Sequence, residues 1–133
     1  MTAKDWTKPS TWLVLFLGLY MLVNTARVVI DPVGFATYMG LPLADARDTA
    51  FVHVYALRAA FLGLFALAML WRGDARTLAL FATVALVMPL GDATLTALAG
   101  APPLTVARHA ATAIILAITA SLLFNRARNE ATD

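Results

Sequence analysis

Polar residues are spaced so unevenly along the chain that four apolar stretches stand out, roughly Thr11 to Ile30, Ala50 to Leu70, Ala75 to Leu98 and Val106 to Phe124. Each is close to the ~20 residues that an α-helix needs to cross bilayer hydrocarbon, and each is apolar on nearly every face. A membrane β-barrel needs alternating segments and closed pairing, which this pattern lacks. The pattern predicts an all-α protein: a four-transmembrane-helix bundle, antiparallel and up-down, with residues 1–133 as one integral membrane domain. Punctuating residues mark the breaks: Asp31-Pro32-Val33-Gly34, Arg72-Gly73-Asp74 and Gly100-Ala101-Pro102-Pro103. Short connections make consecutive helices antiparallel neighbours.

The segment from Asp31 to Asp48 is too long for a turn and carries Phe35, Tyr38, Met39, Leu41 and Leu43 among prolines and glycines. It reads as an interfacial segment between helices one and two, either an anchor or a lid in which Gly34 and Gly40 permit movement. Lys4 and Lys8 precede the first apolar run as in a signal peptide, but no small-x-small site follows cleanly, so the run is expected to stay as a membrane helix. Small residues recur at packing intervals: Ala56, Ala59 and Gly63; Ala75, Ala79 and Ala82; Ala110, Ala113, Ala117 and Ala120. Such seams let backbones approach closely, within one bundle or across a homo-oligomer face.

Composition sharpens the class: 61% of the residues are hydrophobic and 14% charged, against about a quarter charged in soluble domains. Cysteine is absent, which excludes disulfides, thiol redox relays, thiolate zinc sites and cysteine-bound iron–sulfur clusters. The net charge of +2 comes from basic residues flanking the apolar runs, so it speaks to orientation rather than nucleic-acid binding. With both termini on one side, that side holds Lys4, Lys8, Arg72, Arg76, Arg126 and Arg128, against Arg47 and Arg108 opposite. The positive-inside rule then predicts cytoplasmic termini, and Trp6, Trp12 and Trp71 fall at the same interface.

A charge at the centre of a span costs on the order of 2.5 to 3.5 kcal/mol, so each polar residue there needs a partner or a purpose. Asn24, Arg27, His53, Arg58, Asp92, Arg108 and His109 all fall in the outer half when the helices alternate. Asn24, Arg58 and Asp92 lie roughly 9 to 12 Å below the outer helix ends at 1.5 Å per residue. The inner half offers only weak groups such as Tyr20, Thr83, Thr112, Thr119 and Ser121, so the bundle reads as a cup open outward. Helical spacing puts Tyr20, Asn24, Arg27 and Asp31 on one stripe, and Phe51, Tyr55, Arg58 and Leu62 on another. Met88, Asp92 and Thr96 make a third stripe, and Thr105, His109, Thr112 and Leu116 a fourth; His53 and Arg108 fall off these faces, with Arg108 directed to the headgroups.

Arg58 and Asp92 are at matching depth and are expected to pair bidentately, while Arg27 pairs with Asp31 or snorkels. His53 and His109 have no ligand at i+3 or i+4, so no metal is expected. No Walker loop, Gly-rich dinucleotide turn, nucleophile elbow or glycosidase-type carboxylate pair is present, and no cofactor is expected. Pro89 beside Gly91 weakens helix three one turn before Asp92. The run Arg58-Ala59-Ala60-Phe61-Leu62-Gly63, the Gly40-Leu41-Pro42 turn, Pro89-Leu90-Gly91-Asp92 and the late His109 resemble the DoxX-like small four-helix membrane proteins of uncharacterised function. That resemblance spans Leu15 to Phe124 and implies a four-helix bundle; one branch of the group holds subunits of a thiosulfate:quinone oxidoreductase, a role the absence of cysteine here disfavours.

Two functions fit these residues. The first is a membrane protein that binds an apolar molecule with a polar head, such as a quinone, lipid or sterol-like compound, using Tyr20, Asn24, Arg27, Tyr55, Arg58, Asp92 and His109. The second is a membrane-embedded isomerase or cyclase in which Asp92 or His109 moves a proton and Arg58 stabilises an oxyanion. The expected partners are the lipid bilayer and that small molecule, not nucleic acid.

Overall fold

The computed structural model describes residues 3–132; the Lys4 side chain, counted above in the charge asymmetry, lies outside the described part. A short 3-10 helix, Ala3–Thr7, leads into α1, Pro9–Ile30, which is followed by α2, Pro32–Met39, and α3, Ala50–Arg72. Then come α4, Ala75–Ala85, α5, Val87–Leu98, and α6, Pro103–Glu130. Four spans are long and apolar enough to cross a membrane: α1, α3, α4 with α5, and α6. Their outward faces carry large apolar side chains in the open, among them Leu57, Leu98 and Leu104, each more than 70% exposed. Lipid rather than water suits such a surface.

Helix ends fall where backbone chemistry demands. Asp31 closes α1 and caps α2, its Oδ1 accepting the Gly34 amide at 2.8 Å, and Pro32 opens α2 at a position with no hydrogen bond to lose. Gly40 ends α2 at φ 84 and Gly73 ends α3 at φ 73, left-handed conformations that suit glycine. Asp74 caps α4 by accepting the Thr77 amide at 2.9 Å.

Helix three is split, which the hydropathy pattern did not show. Pro89 has no N–H to offer the carbonyl of Ala85, four residues back, and the helix breaks at Leu86 between α4 and α5. The last helix runs on past the expected Phe124 to Glu130, held by an i,i+4 ion pair from Arg126 to Glu130 at 2.8 Å.

The bundle consists of two tightly packed pairs, α1 along α3 and α4 with α5 along α6; the pairs meet where α1 touches α6 and α3 touches α4. No comparable contact joins α3 to α5. The small-residue seam of α3 is buried as expected, through Ala56, Ala59, Gly63 and Ala66, and Thr25 donates across it to the Ala56 carbonyl at 3.2 Å. Ala75, Ala79 and Ala82 are likewise buried, but on α6 only Ala113 and Ala120 are, while Ala110 and Ala117 turn outward. The buried face of α6 is centred instead on Thr105, Ala113, Thr119 and Leu123, because α4 and α5 both pack on that side.

The first part of the interfacial segment is helical, α2, and residues 41–49 after it carry no helix. Phe35 and Ala36 are buried with Val28, Val52 and Ala56, so α2 plugs the end of the α1–α3 pair. Its glycines sit where a side chain has no room: a Cβ on Gly34 would collide with the capping Asp31 carboxylate, and one on Gly40 would meet Thr105 Cγ2 at 2.7 Å.

Candidate functional site

Between the two helix pairs lies a cavity of about 120 Å³. Along α1 its wall runs from Val14 to Asn24, a length of ~15 Å at the helical rise, so the space is long and narrow. At the end near the chain termini the walls are Val14, Leu78, Ala82 and Leu123. Halfway along stand Gly18, Leu62, Phe81 and Ala85, the residue whose carbonyl Pro89 leaves without an intrahelical donor. At the far end Tyr20, Asn24, Tyr55, Asp92, His109 and Thr112 converge from four different helices. Of the seven residues of the expected cup only Asn24, Asp92 and His109 line this space; Tyr20 and Thr112, expected in the other half, stand with them, and Arg27, His53, Arg58 and Arg108 do not.

Its polar end is built around a carboxylate and an imidazole. Asp92 Oδ2 lies 3.9 Å from His109 Nδ1, and His109 Nε2 lies 3.3 Å from the Met39 carbonyl at the end of α2. A carbonyl only accepts, so Nε2 carries the hydrogen and Nδ1 is the nitrogen that faces the carboxylate. Thr96, buried one turn beyond Asp92, donates to the Asp92 carbonyl at 2.7 Å and steadies that turn of α5. Asn24 is 1% exposed, yet its Oδ1 accepts no hydrogen bond.

The expected Arg58–Asp92 pair does not form. Arg58 is exposed on α3, absent from the cavity wall and, among the described residues, in no ion pair; Asp92 faces His109 instead. The reason is rotational: the buried seam of α3 turns Tyr55 and Leu62 to the cavity, and Arg58, some 100° from Ala59, stands on the flank. An oxyanion role for Arg58 in this cavity loses its geometry with that placement.

Arg27 and Arg108 also depart from expectation. The Arg27 guanidinium lies 3.9 Å from the centroid of the Tyr38 ring rather than against Asp31, whose carboxylate is taken by the α2 cap. Arg108, expected at the headgroups, lies 4.2 Å from the same ring and donates to the Tyr38 carbonyl at 3.0 Å. Burial alone would raise the Tyr38 phenol, but hydrogen bonds from Arg27, Tyr20 and Arg108 outweigh it and hold it below the usual tyrosine range. Tyr38 thus acts as a clasp between α1, α2 and α6, just above the cavity. Sequence spacing missed this group because α2 brings in residues that share no helix with the arginines. His53 is exposed, its Nδ1 2.9 Å from the Thr49 carbonyl in the first turn of α3, away from the cavity.

These features define a small apolar protein with four membrane-length helices around a narrow axial cavity that is polar at one end. A family model described as a domain of unknown function, DUF4267, matches residues 12–123, and the chain belongs to that family. The match covers α3, α4 and α5, most of α1 and α6, and every residue of the cavity wall. No curated protein and no solved structure matches the chain.

Proposed function

We propose that the protein binds an amphiphilic molecule of quinone, lipid or sterol-like kind, with its apolar body along the cavity and its head among Asn24, Asp92, Tyr55 and His109. The observation that carries this reading is the asymmetry of one continuous wall, apolar from Val14 to Ala85 and polar at its far end. Access from the bilayer lies between α3 and α5, which share little packing. The kinship with DoxX-like proteins belongs to the same proposal and rests on the short runs quoted above.

Mass spectrometry of lipid extracts from the purified protein tests this directly. The unaltered protein carries a stoichiometric amphiphile, and Ala85→Phe, which fills the middle of the cavity, loses most of it while still purifying as a folded species. Equal retention by both proteins sinks the reading.

A second reading, a proton-transferring isomerase or cyclase, is favoured by the approach of His109 Nδ1 to Asp92 Oδ2 on the cavity wall. An imidazole and a carboxylate facing one cavity can each exchange a proton with a molecule bound between them. Arg58 has no part in this version.

We also infer that the termini are cytoplasmic, from the excess of Lys and Arg at that end. The chain has no native thiol, so single cysteines report cleanly. Ala46→Cys, in the exposed segment after α2, is labelled by an impermeant thiol reagent on intact cells, whereas Ala131→Cys is labelled only after lysis. The reverse pattern overturns the orientation.

A further inference from the structure

We propose that the head of the bound molecule is an uncharged hydroxyl, an alcohol or a phenol, and not a carbonyl, a carboxylate or a phosphate. This rests on reading the cavity as an amphiphile site and goes on to name the head chemistry. Two acceptors meet at the polar end of the wall: Asn24 Oδ1 and the Asp92 carboxylate, the latter 3.9 Å from His109 Nδ1. Asn24 Oδ1 is the most telling, since it is buried, borders the cavity and has no donor among the described residues. A buried acceptor of this kind is satisfied by a ligand that brings an N–H or O–H.

Charge narrows the choice. No Arg or Lys belongs to the cavity wall, so a carboxylate or phosphate head would sit beside Asp92 without a counter-charge. The arginines nearest in sequence to the site stand off its wall: Arg27 and Arg108 lie against Tyr38, and Arg58 on the outer face of α3; the buried Arg108 Nε has no partner among the described residues, but it borders a separate space of about 20 Å³, too small for a carboxylate or phosphate head. A carbonyl head, as in an oxidised quinone or an ester, can accept from the Tyr55 phenol but leaves Asn24 Oδ1 without a donor. An ammonium head would compete with His109, which already occupies the approach to Asp92. A hydroxyl gives its hydrogen to Asn24 or Asp92 and accepts in return from the Tyr55 phenol on the same wall. For a redox-active ring compound, the form selected is the hydroquinone.

The test uses chain-matched probes on the full-length protein in nanodiscs: hexanol, methyl hexanoate, hexanoate and hexylamine, short chains suited to a cavity of about 120 Å³. Apparent Kd is measured by titration calorimetry against empty nanodiscs. Hexanol binds at least tenfold more tightly than the other three. In Asn24→Leu the preference for the alcohol over the ester shrinks to within about twofold, while the affinity for the ester is kept. If the ester, carboxylate or amine matches or exceeds the alcohol in the unaltered protein, the head assignment is wrong and the cavity reading stands. If none of the four binds, both fall. The probe series in the unaltered protein decides the matter even where Asn24→Leu does not fold.

Discussion

Arg126→Gln lowers the melting temperature of the detergent-purified protein sharply, with a loss of about 3 kcal/mol, because it strands a buried carboxylate. Arg126 is 8% exposed and reaches back across the whole chain length, donating from Nη2 to Asp5 Oδ1 at 2.6 Å and from Nε to Glu130 at 2.8 Å. Nη1 contacts the Thr11 hydroxyl at 3.3 Å, and that hydroxyl donates to the Asp5 carbonyl at 2.6 Å. The guanidinium therefore ties the 3-10 helix and the start of α1 to the end of α6. Asp5 keeps Lys8 at 3.3 Å when Arg126 is lost, which places the effect at the lower end of the range for a broken buried pair. Asp5→Asn is costly for the mirror reason, leaving Arg126 with Glu130 alone. The double variant loses less than the sum of the singles, with a coupling of 0.5 to 3 kcal/mol. Additive losses would show that these charges, despite their distances, do not act together.

Gly63→Val is as severe, through a different mechanism. A Cβ at Gly63 would stand 2.8 Å from the Gly18 carbonyl oxygen, 3.1 Å from Met21 Cβ and 3.2 Å from a Leu22 methyl. The nearest obstacle is backbone, so a rotamer change cannot relieve it, and α1 and α3 must separate. Overpacking of this kind costs about 1 to 3 kcal/mol, and here it also loosens the Thr25 bond to the Ala56 carbonyl across the same seam. Gly91→Ala is the matched control. Nothing lies within 4 Å of a Cβ at Gly91, so the change is neutral or stabilises α5 by about 0.5 to 1 kcal/mol. Thermal melts of the two variants beside the unaltered protein check both statements. A stable Gly63→Val protein would mean that the Gly18–Gly63 crossing is not a tight contact.

The bundle is closed differently at its two ends. Near the termini, a buried ionic network and the cluster of Val14, Leu70, Leu78, Ala79 and Leu123 close the bundle. At the other end, α2 packs Phe35 against Val28 and Val52, and the polar cluster lies just inside. The cavity occupies the length between, where Gly18 and a series of alanines leave the space that larger side chains would fill.

Much of this was legible in the chain itself. Four apolar runs of membrane length determine the helix count, because a backbone in hydrocarbon must satisfy its hydrogen bonds within each helix. Turn residues determined where most helices end, since Asp31, Gly40, Gly73 and Pro103 act through their own backbone preferences. Helical periodicity also placed Tyr20 with Asn24 and Met88 with Asp92, and all four line the cavity. Only the tertiary structure decided which way each stripe was turned. Arg58 shares a stripe with Tyr55 and Leu62, yet the close crossing of Gly18 on Gly63 rotates α3 so that the arginine stands outside and Asp92 meets His109 instead. The contacts of α2 were equally hidden, because the Met39 carbonyl under His109 and the Tyr38 ring beside Arg27 and Arg108 come from distant parts of the chain. Periodicity encodes the faces of one helix; the rotation of each helix about its axis is set by packing against the others, and that rotation chooses which polar groups meet.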